Sequence, residues 1–549
     1  MGLFSAFVNI LMLTGPIFML QVYDRVLGSG SEETLLALFI LVATLYAIMG
    51  LLDYIRGRIS ARVGARFQSG LDNRVFGAQI RRAMQTNSKF SNLADLEAIQ
   101  RFFSSPLIFA FFDIPWIPIF IAIIFIFHPW LGWAAVAGAA VLIFVTVLTQ
   151  LLTKRSAHEA NRASVEGNVL SEEIRSQREL VRGLGMTESA LRKWRGVRND
   201  ALAKQILLSD RTGGFATFSK SFRFLLQSTM LALGAYLTLR GEITAGAMIA
   251  ASIMLGRALS PIEQVIGQWP AVLRTRQGWK SLNELLATVP ETHSLTALPK
   301  PRAVLEVERA SVMPPGATEP TLKGISFKLG PGKVLGVIGQ SASGKSSLAR
   351  ILTGIWHPVS GKVRLDGATL DQFGSDKLGR HIGYLPQDVT LFSATIADNI
   401  ARLSPDSSSA DIVAAAKMAG AHEMILHLPK GYNTMVNAQG GTLSGGQKQR
   451  IGLARAMFKQ PVILVLDEPN SNLDNAGTLA LNAAIRAIRL TGGSVIIMAH
   501  RPAALAECDL VLVLENGEVK AFGPRDTVLK TQLKNYVQVV ENIHSEAGK

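Results

Sequence analysis

The chain has little charge, few aromatics and almost no cysteine for its 549 residues: 18% charged, 7% aromatic and a single cysteine, Cys508. One cysteine excludes an internal disulfide framework and any multi-cysteine metal site, and it fits a chain whose bulk faces a reducing compartment. Cys508 itself reads as a small buried apolar residue. Soluble domains carry roughly 25% charged residues, so 18% beside 48% hydrophobic places part of the chain in lipid. Nothing basic precedes the first apolar run, Asn9 and Thr14 interrupt it, and no small-residue cleavage pattern follows; it reads as a spanning helix and not as a cleaved leader. Ala6 stands where a myristoylation signal requires Ser or Thr. Beyond residue 270 no run approaches the ~20 apolar residues needed to cross a ~30 Å hydrocarbon core.

Before that point there are six such runs: Leu3–Tyr23, Leu35–Ile55, Pro106–Phe127, Trp130–Leu152, Phe218–Leu239 and Thr244–Trp269. The net charge of +15 could point to nucleic acid, to an anionic membrane face or to loop bias, and position decides. Between spans two and three, nine basic residues stand against Asp72, Asp95 and Glu97; between spans four and five, thirteen stand against eight acids. The other connections are short. Lysine and arginine bias therefore puts both long loops, both termini and everything after Arg274 in the cytoplasm, and it accounts for most of the charge without a nucleic-acid partner. Both loops carry helix-period apolar positions and should be helical. Asn92 to Ile99 is a candidate element in the first. In the second, Gly183-Leu184-Gly185-Met186 breaks the pattern, which suits a hairpin tip docking onto a cytoplasmic domain. Asp113, Arg257 and Glu263 lie inside spans, where an ionisable group is expensive; each either lines a substrate path or pairs within the bundle. The prolines of Asp113-Ile114-Pro115-Trp116-Ile117-Pro118 and Ser260-Pro261 predict kinks.

The segment from Val289-Pro290 to Pro299-Lys300-Pro301 reads as a linker, giving three regions: a membrane domain over 1–285, a linker over 286–302 and a nucleotide-binding domain over 303–549. In the last, strand Val334-Leu335-Gly336-Val337-Ile338 runs into Gly339, Gln340, Ser341, Ala342, Ser343, Gly344, Lys345 and Ser346, then into the helix-permissive run from Ser347. This is a P-loop in its strand–loop–helix context. Glycine and serine leave backbone N–H groups free to cradle phosphate oxygens at a helix N-terminus; Lys345 suits the β- and γ-phosphates of ATP and Ser346 suits Mg²⁺. A second apolar strand, Val462 to Leu466, ends in Asp467, placed to hold Mg²⁺, and Glu468, placed to polarise the attacking water. Between the two motifs lies Leu443-Ser444-Gly445-Gly446-Gln447, followed by Lys448-Gln449-Arg450.

With that signature the chain resembles the ATP-binding cassette (ABC) family: a six-span α-helical membrane domain of the type I exporter kind fused to an α/β P-loop domain. The resemblance implies that Gln387, in Gly383-Tyr384-Leu385-Pro386-Gln387-Asp388, is the Q-loop glutamine near Mg²⁺ or water. It likewise implies that Ser471-Asn472-Leu473-Asp474 is the D-loop, with Asp474 at the nucleotide, and that His500 is the switch histidine on the γ-phosphate. His422 and His427 receive no role. In the family ATP is sandwiched between two cassettes, so Ser444, Gly445, Gly446 and Gln447 are expected to act on ATP held by a second copy, giving a homodimer with twelve spans and two composite sites. The adenine-stacking aromatic usual before the Walker strand is missing from Ser311-Val312-Met313-Pro314-Pro315-Gly316, leaving Met313 as the available contact.

Finer features narrow the resemblance: Gln21-Val22-Tyr23-Asp24-Arg25-Val26-Leu27, Asp113-Ile114-Pro115-Trp116, the Gly185-Met186 to Trp194 element, and Asp467-Glu468-Pro469-Asn470. Together they are similar to the PrtD/HasD branch of type I secretion permease/ATPases. Lipid exporters usually carry Ala-Thr or Thr-Ser in place of Pro469-Asn470, and no peptidase-like domain is expected ahead of span one, unlike the leader-cleaving bacteriocin exporters and the haemolysin type. The branch implies an ATPase of the bacterial inner membrane. It would export proteins bearing an uncleaved C-terminal signal through a membrane-fusion adaptor and an outer-membrane channel. The rival reading is a lipid or drug flippase; a soluble DNA-repair ABC ATPase is disfavoured by the six spans.

Overall fold

The computed structural model describes residues 1–85, 92–289, 298–436, 443–471, 473, 475–499 and 505–532. They form two compact units that meet in sequence near residue 291.

In the first unit, six helices among the described residues are long and apolar enough to cross a membrane: Gly2–Ser29, Glu32–Arg82, Leu107–Phe127, Pro129–Ser176, Thr187–Leu239 and Ala245–Gly267. Spans two, four and five are 51, 48 and 53 residues long, more than twice what a bilayer requires. The two basic "loops" are thus mostly continuations of the spanning helices, and most of the charged residues described there lie on exposed or half-exposed helical surface. The predicted element appears as helix Asn92–Phe103, and the predicted break separates the short helix Arg178–Gly183 from Thr187, with Gly185 at φ 64°. Leu180, Leu184 and Met186 are exposed at this tip. A core of Ile124, Leu131, Leu142, Met230, Met254, Leu255, Leu259 and Ile266 joins spans three to six.

The Ile114–Trp116 turn divides span three as its prolines predict, whereas span six runs through Pro261 without a break and ends at Gly267. Packing of the surrounding helices holds the segment helical even though Pro261 cannot donate to the Arg257 carbonyl. Helix Trp269–Thr288 then carries the chain past residue 286, where the linker was expected to begin.

The second unit contains two principal sheets. Strands β1 (Leu305–Val312), β2 (Leu322–Leu329), β4 (Ser360–Leu365) and β5 (Ala368–Thr369) form an antiparallel sheet in the order β2-β1-β4-β5. The larger sheet takes β3 (Val334–Gly339), β6 (Ile382–Leu385), β9 (Ile463–Asp467), β10 (Ser494–Ala499), β11 (Leu510–Glu515) and β12 (Glu518–Pro524) in the order β12-β11-β3-β10-β9-β6. The short ladder of β7 (Ala394–Thr395) with β8 (Met435–Val436) stands apart. Strands β9 and β10 are buried along their whole length, which explains their unbroken apolar sequences: a parallel strand covered on both faces has no solvent side to alternate with. Cys508 is buried against this sheet, where desolvation pushes its thiol up to about 12.

Candidate functional site

The parallel order β11-β3-β10-β9-β6 puts the carboxyl ends of five neighbouring strands on one edge. The P-loop leaves β3, Asp467 closes β9, and β6 leads to Gln387 two residues beyond Leu385. Residues separated by more than a hundred positions thereby reach one crevice, the usual place for a ligand in an open α/β sheet. β10 ends at Ala499; His500, which follows it, and Asp474 lie outside the described residues.

The crevice is a cleft of about 580 Å³ lined by Ser341, Ala342, Gly344, Lys345, Ser346, Ser347, Gln387 and Glu468, with Thr321 at its margin. Helix Lys345–Leu352 points its N-terminus into it. Gly344 sits at φ 101°, and a Cβ there would lie 2.6 Å from Leu322 Cδ2 and 3.1 Å from the Thr321 carbonyl, so the turn requires glycine. Lys345 folds back to donate to the carbonyls of Gly339 at 2.8 Å and Gln340 at 2.9 Å, which holds its ammonium over the loop. Burial lowers the pKa of Lys345, while the carboxylates of Glu468 and Asp467 oppose the shift.

Asp467 is only 2% exposed, and its Oδ1 is buried without a hydrogen-bond partner. Burial raises its pKa, a hydrogen bond from Ser346 opposes this, and the neighbouring Glu468 adds to the rise. A buried carboxylate oxygen left open beside a serine hydroxyl fits a hard divalent cation such as Mg²⁺, which takes one or two protein oxygens and completes its shell with phosphate and water. The Ser343 hydroxyl is also buried without a partner. Glu468 stands at φ 50°, a strained conformation for its type, with its amide donating to Met498 O at 3.1 Å; Gln387 Nε2 donates to its Oε2 at 3.0 Å.

The signature residues lie elsewhere. Ser444 caps helix Gly445–Met457, its Oγ accepting the Gln447 amide at 3.2 Å while Gln447 Oε1 accepts the Ser444 amide at 2.8 Å. Ser444 and Gly445 are exposed, and none of the described residues lining the cleft belongs to the signature. Sequence reasoning missed the residues that hold this helix. Arg402, at φ 58°, donates to the carbonyls of Arg455 and Ala456, each at 2.9 Å, and to that of Gly379. Arg455 in turn reaches Thr390 O at 2.9 Å, tying the helix to the segment that follows Gln387. Burial, with Arg455 nearby, lowers Arg402 to about 10. No motif marks Arg402, because its partners are carbonyls on distant segments. Met313 is exposed and does not line the cleft.

Of Asp113, Arg257 and Glu263, the three ionisable residues singled out within spans, two are paired. Asp113 Oδ1 accepts from Asn9 Nδ2 at 2.7 Å and from Arg56 Nη1 at 3.5 Å; Arg56, 7% exposed, also meets Asp53 at 2.8 Å and lies 4.2 Å over the Phe109 ring. Arg56, counted from sequence as a loop charge, is therefore part of a buried cluster joining spans one to three. Glu263 is bound to Arg223 of span five at 2.6 Å. Asp24 accepts from the Gly246 amide at 2.9 Å and from Thr244 Oγ1 at 2.7 Å, capping span six from the end of span one.

Residues 1–259 match the ABC transporter transmembrane region and residues 322–471 match the ABC transporter family. The type I secretion system ATP-binding protein PrsD of Rhizobium meliloti (strain 1021) is 44% identical over 97% of this chain and 92% of its own length. The cyclolysin secretion/processing ATP-binding protein CyaB of Bordetella pertussis is 30% identical over 96% of this chain and 75% of its own. The leukotoxin translocation ATP-binding protein LktB of Mannheimia glucosida is 27% identical over the same shares. A solved bacterial Atm1-family ABC exporter with ATP bound superposes with a TM-score of 0.84 at 23% identity, covering 98% of this chain and 96% of that one, a likeness of fold. The chain belongs to the ABC transporter family, in its type I secretion branch.

Proposed function

We propose that this chain is the ATP-hydrolysing engine of a type I secretion system, a multi-pass protein of the bacterial inner membrane that exports proteins together with a membrane-fusion adaptor and an outer-membrane channel. The observation that carries this reading is the 44% identity to a type I secretion ATP-binding protein along nearly the whole of both chains, with the ATPase residues gathered at one sheet edge. The same likeness favours protein cargo over a lipid or drug.

The finer reading follows from the site. The P-loop amides and Lys345 bind the triphosphate, and Lys345 exchanges its two loop carbonyls for phosphate oxygens. Ser346 and Asp467 would hold Mg²⁺, which supplies charge neutralisation at the phosphates when bound. Glu468 orients and polarises the attacking water, and Gln387 holds the Glu468 carboxylate through the bond at 3.0 Å. His500 and Asp474 complete the site in the roles that family resemblance assigns. The exposed Ser444 to Gln447 cap has no nucleotide of its own to serve. It acts on ATP held by a second copy, so the working unit is a homodimer with two composite sites. The ATP-binding domain, 303–549, lies in the cytoplasm, 1–285 in the membrane, and the cargo is presented by a C-terminal signal.

Purified protein in liposomes tests the choice of cargo. ATP turnover modulated by a peptide carrying a C-terminal secretion signal, and unaffected by lipid composition or dyes, is the expected result. Stimulation by lipid or dye alone would replace this reading with the flippase.

A further inference from the structure

Arg257 is the thirteenth of 23 residues in span six, near the middle of that span, and it is exposed. Among the described residues it has no ion-pair or hydrogen-bond partner, in contrast to Asp113 and Glu263. Twelve residues of helix separate it from Ala245, about 18 Å, too far for its side chain to reach the interface. An arginine in that position must face water or another protein surface, because lipid would leave its charge unsolvated.

Its neighbours carry the same signal. Ser260, Gln264 and Gln268 follow Arg257 at helical spacing on one face; Gln264 and Gln268 are exposed and Ser260 half-buried. Pro261 removes the donor that the Arg257 carbonyl would otherwise meet, leaving a backbone acceptor in the same stretch. Spans two and four expose Leu36, Phe39, Ile40, Phe144 and Leu151, as a lipid-facing surface should, yet no large exposed apolar residue comes from Ala245–Gly267. The open face of span six is polar, cationic and without a carboxylate of its own, since Glu263 is held by Arg223 at 2.6 Å.

We propose that Arg257, Ser260 and Gln264 line a water-filled path and contact the exported polypeptide in extended form, with Arg257 favouring acidic segments and disfavouring basic ones. From Arg257 to Gln264 is about 10 Å along the helix, the length of three extended residues. The guanidinium supplies donors for carboxylates and main-chain carbonyls, and Ser260 and Gln264 supply groups that serve either side of a peptide bond. A second copy would place a second Arg257 on the same path. This assignment rests on the secretion reading for the identity of the cargo, though not for the existence of the path.

The test uses the full chain in membranes, where the one native thiol, Cys508, is buried and gives little background. Ser260→Cys is reacted with an anionic sulfonate and a matched cationic trimethylammonium thiosulfonate. The expected result is reaction with both, with the anionic reagent favoured at least fivefold over its ratio at an exposed cytoplasmic cysteine. Arg257→Gln should abolish that preference, and Phe144→Cys in lipid should not react. Gln264→Cys repeats the measurement should Ser260→Cys fail to accumulate. No reaction at 260 and 264, or a ratio indifferent to Arg257→Gln, overturns the path. Unfolded reporters fused to a C-terminal secretion signal and carrying a run of aspartates or of lysines then test the cargo. The aspartate reporter should be exported several-fold better, and Arg257→Glu should reverse the order. Equal export of both overturns the acidic preference while sparing the path. Export of neither, with the labelling ratio intact, overturns the secretion reading and the cargo assignment together.

Discussion

Replacing Glu468 separates chemistry from folding because the structure states what each substitution keeps. Glutamine is isosteric, its amide oxygen can still accept the proton that Gln387 donates at 3.0 Å, and the backbone at φ 50° is as strained as before. Stability should stay within about 0.5 kcal/mol of the parent chain. Loss of a general base typically removes a factor of about 10² to 10⁴ in rate, or roughly 2.7 to 5.4 kcal/mol of barrier. ATP should still bind, and the nucleotide-bound dimer should accumulate. Asparagine supplies a second arm. It tolerates positive φ better than glutamate and so relieves part of a strain worth roughly 1 kcal/mol, while its shorter side chain cannot reach Gln387. Glu468→Asn should therefore hydrolyse as poorly as Glu468→Gln yet unfold about 1–3 °C higher. Phosphate release, binding of a fluorescent ATP analogue and thermal unfolding are measured on the same samples. Turnover within fivefold of the parent in Glu468→Gln would refute the role of base, and a parallel loss of ATP affinity would recast Glu468 as a binding group.

The remaining expectations concern buried polar groups. Burial raises the pKa of Asp467, so ionising it costs the nucleotide-free protein stability that is present below the ordinary carboxylate range and lost as pH rises through the raised value. Asp467→Asn should remove that loss, raise the unfolding temperature of the nucleotide-free chain near neutral pH and abolish Mg²⁺-dependent hydrolysis; an unchanged pH profile of unfolding would count against it. Asp113→Ala removes one of the two acceptors of Asn9 Nδ2 and weakens the setting of Arg56, costing about 1–3 kcal/mol. Asp113→Asn keeps an acceptor for Asn9 and should cost less, with export following stability in both; full stability beside lost export would return Asp113 to the substrate path. Asp24→Ala removes the acceptor for the Gly246 amide, with Thr244 still capping Ala247, and should cost about 1 kcal/mol in thermal unfolding. Gly246→Ala, whose Cβ would meet Asp24 Oδ1 at 2.6 Å, should impair the same contact, and neutrality of both substitutions would exclude it.

Much of the molecule can be read from local pattern. Six apolar runs, a P-loop between a strand and a helix, an acidic pair after a buried strand and the Leu443-Ser444-Gly445-Gly446-Gln447 signature each carry their chemistry within about twenty residues, because lipid thickness and phosphate geometry act over that length. The helical continuation of the basic loops and the break at Gly183 to Met186 are of the same local kind. At Pro261 the helix continues without a break, because neighbouring packing outweighs a single lost backbone bond.

What needed the folded chain is every partnership between distant residues. Asn9 and Asp113 are 104 residues apart, Gln387 and Glu468 are 81 apart, and Asp24 caps a helix 222 residues away. Three ionisable residues inside spans look alike in sequence, since hydropathy records the cost of a charge and not what meets it. Packing alone pairs Asp113 and Glu263 and leaves Arg257 open. Strand order likewise carries Gln387, Asp467 and the P-loop to one edge while leaving Ser444 exposed elsewhere.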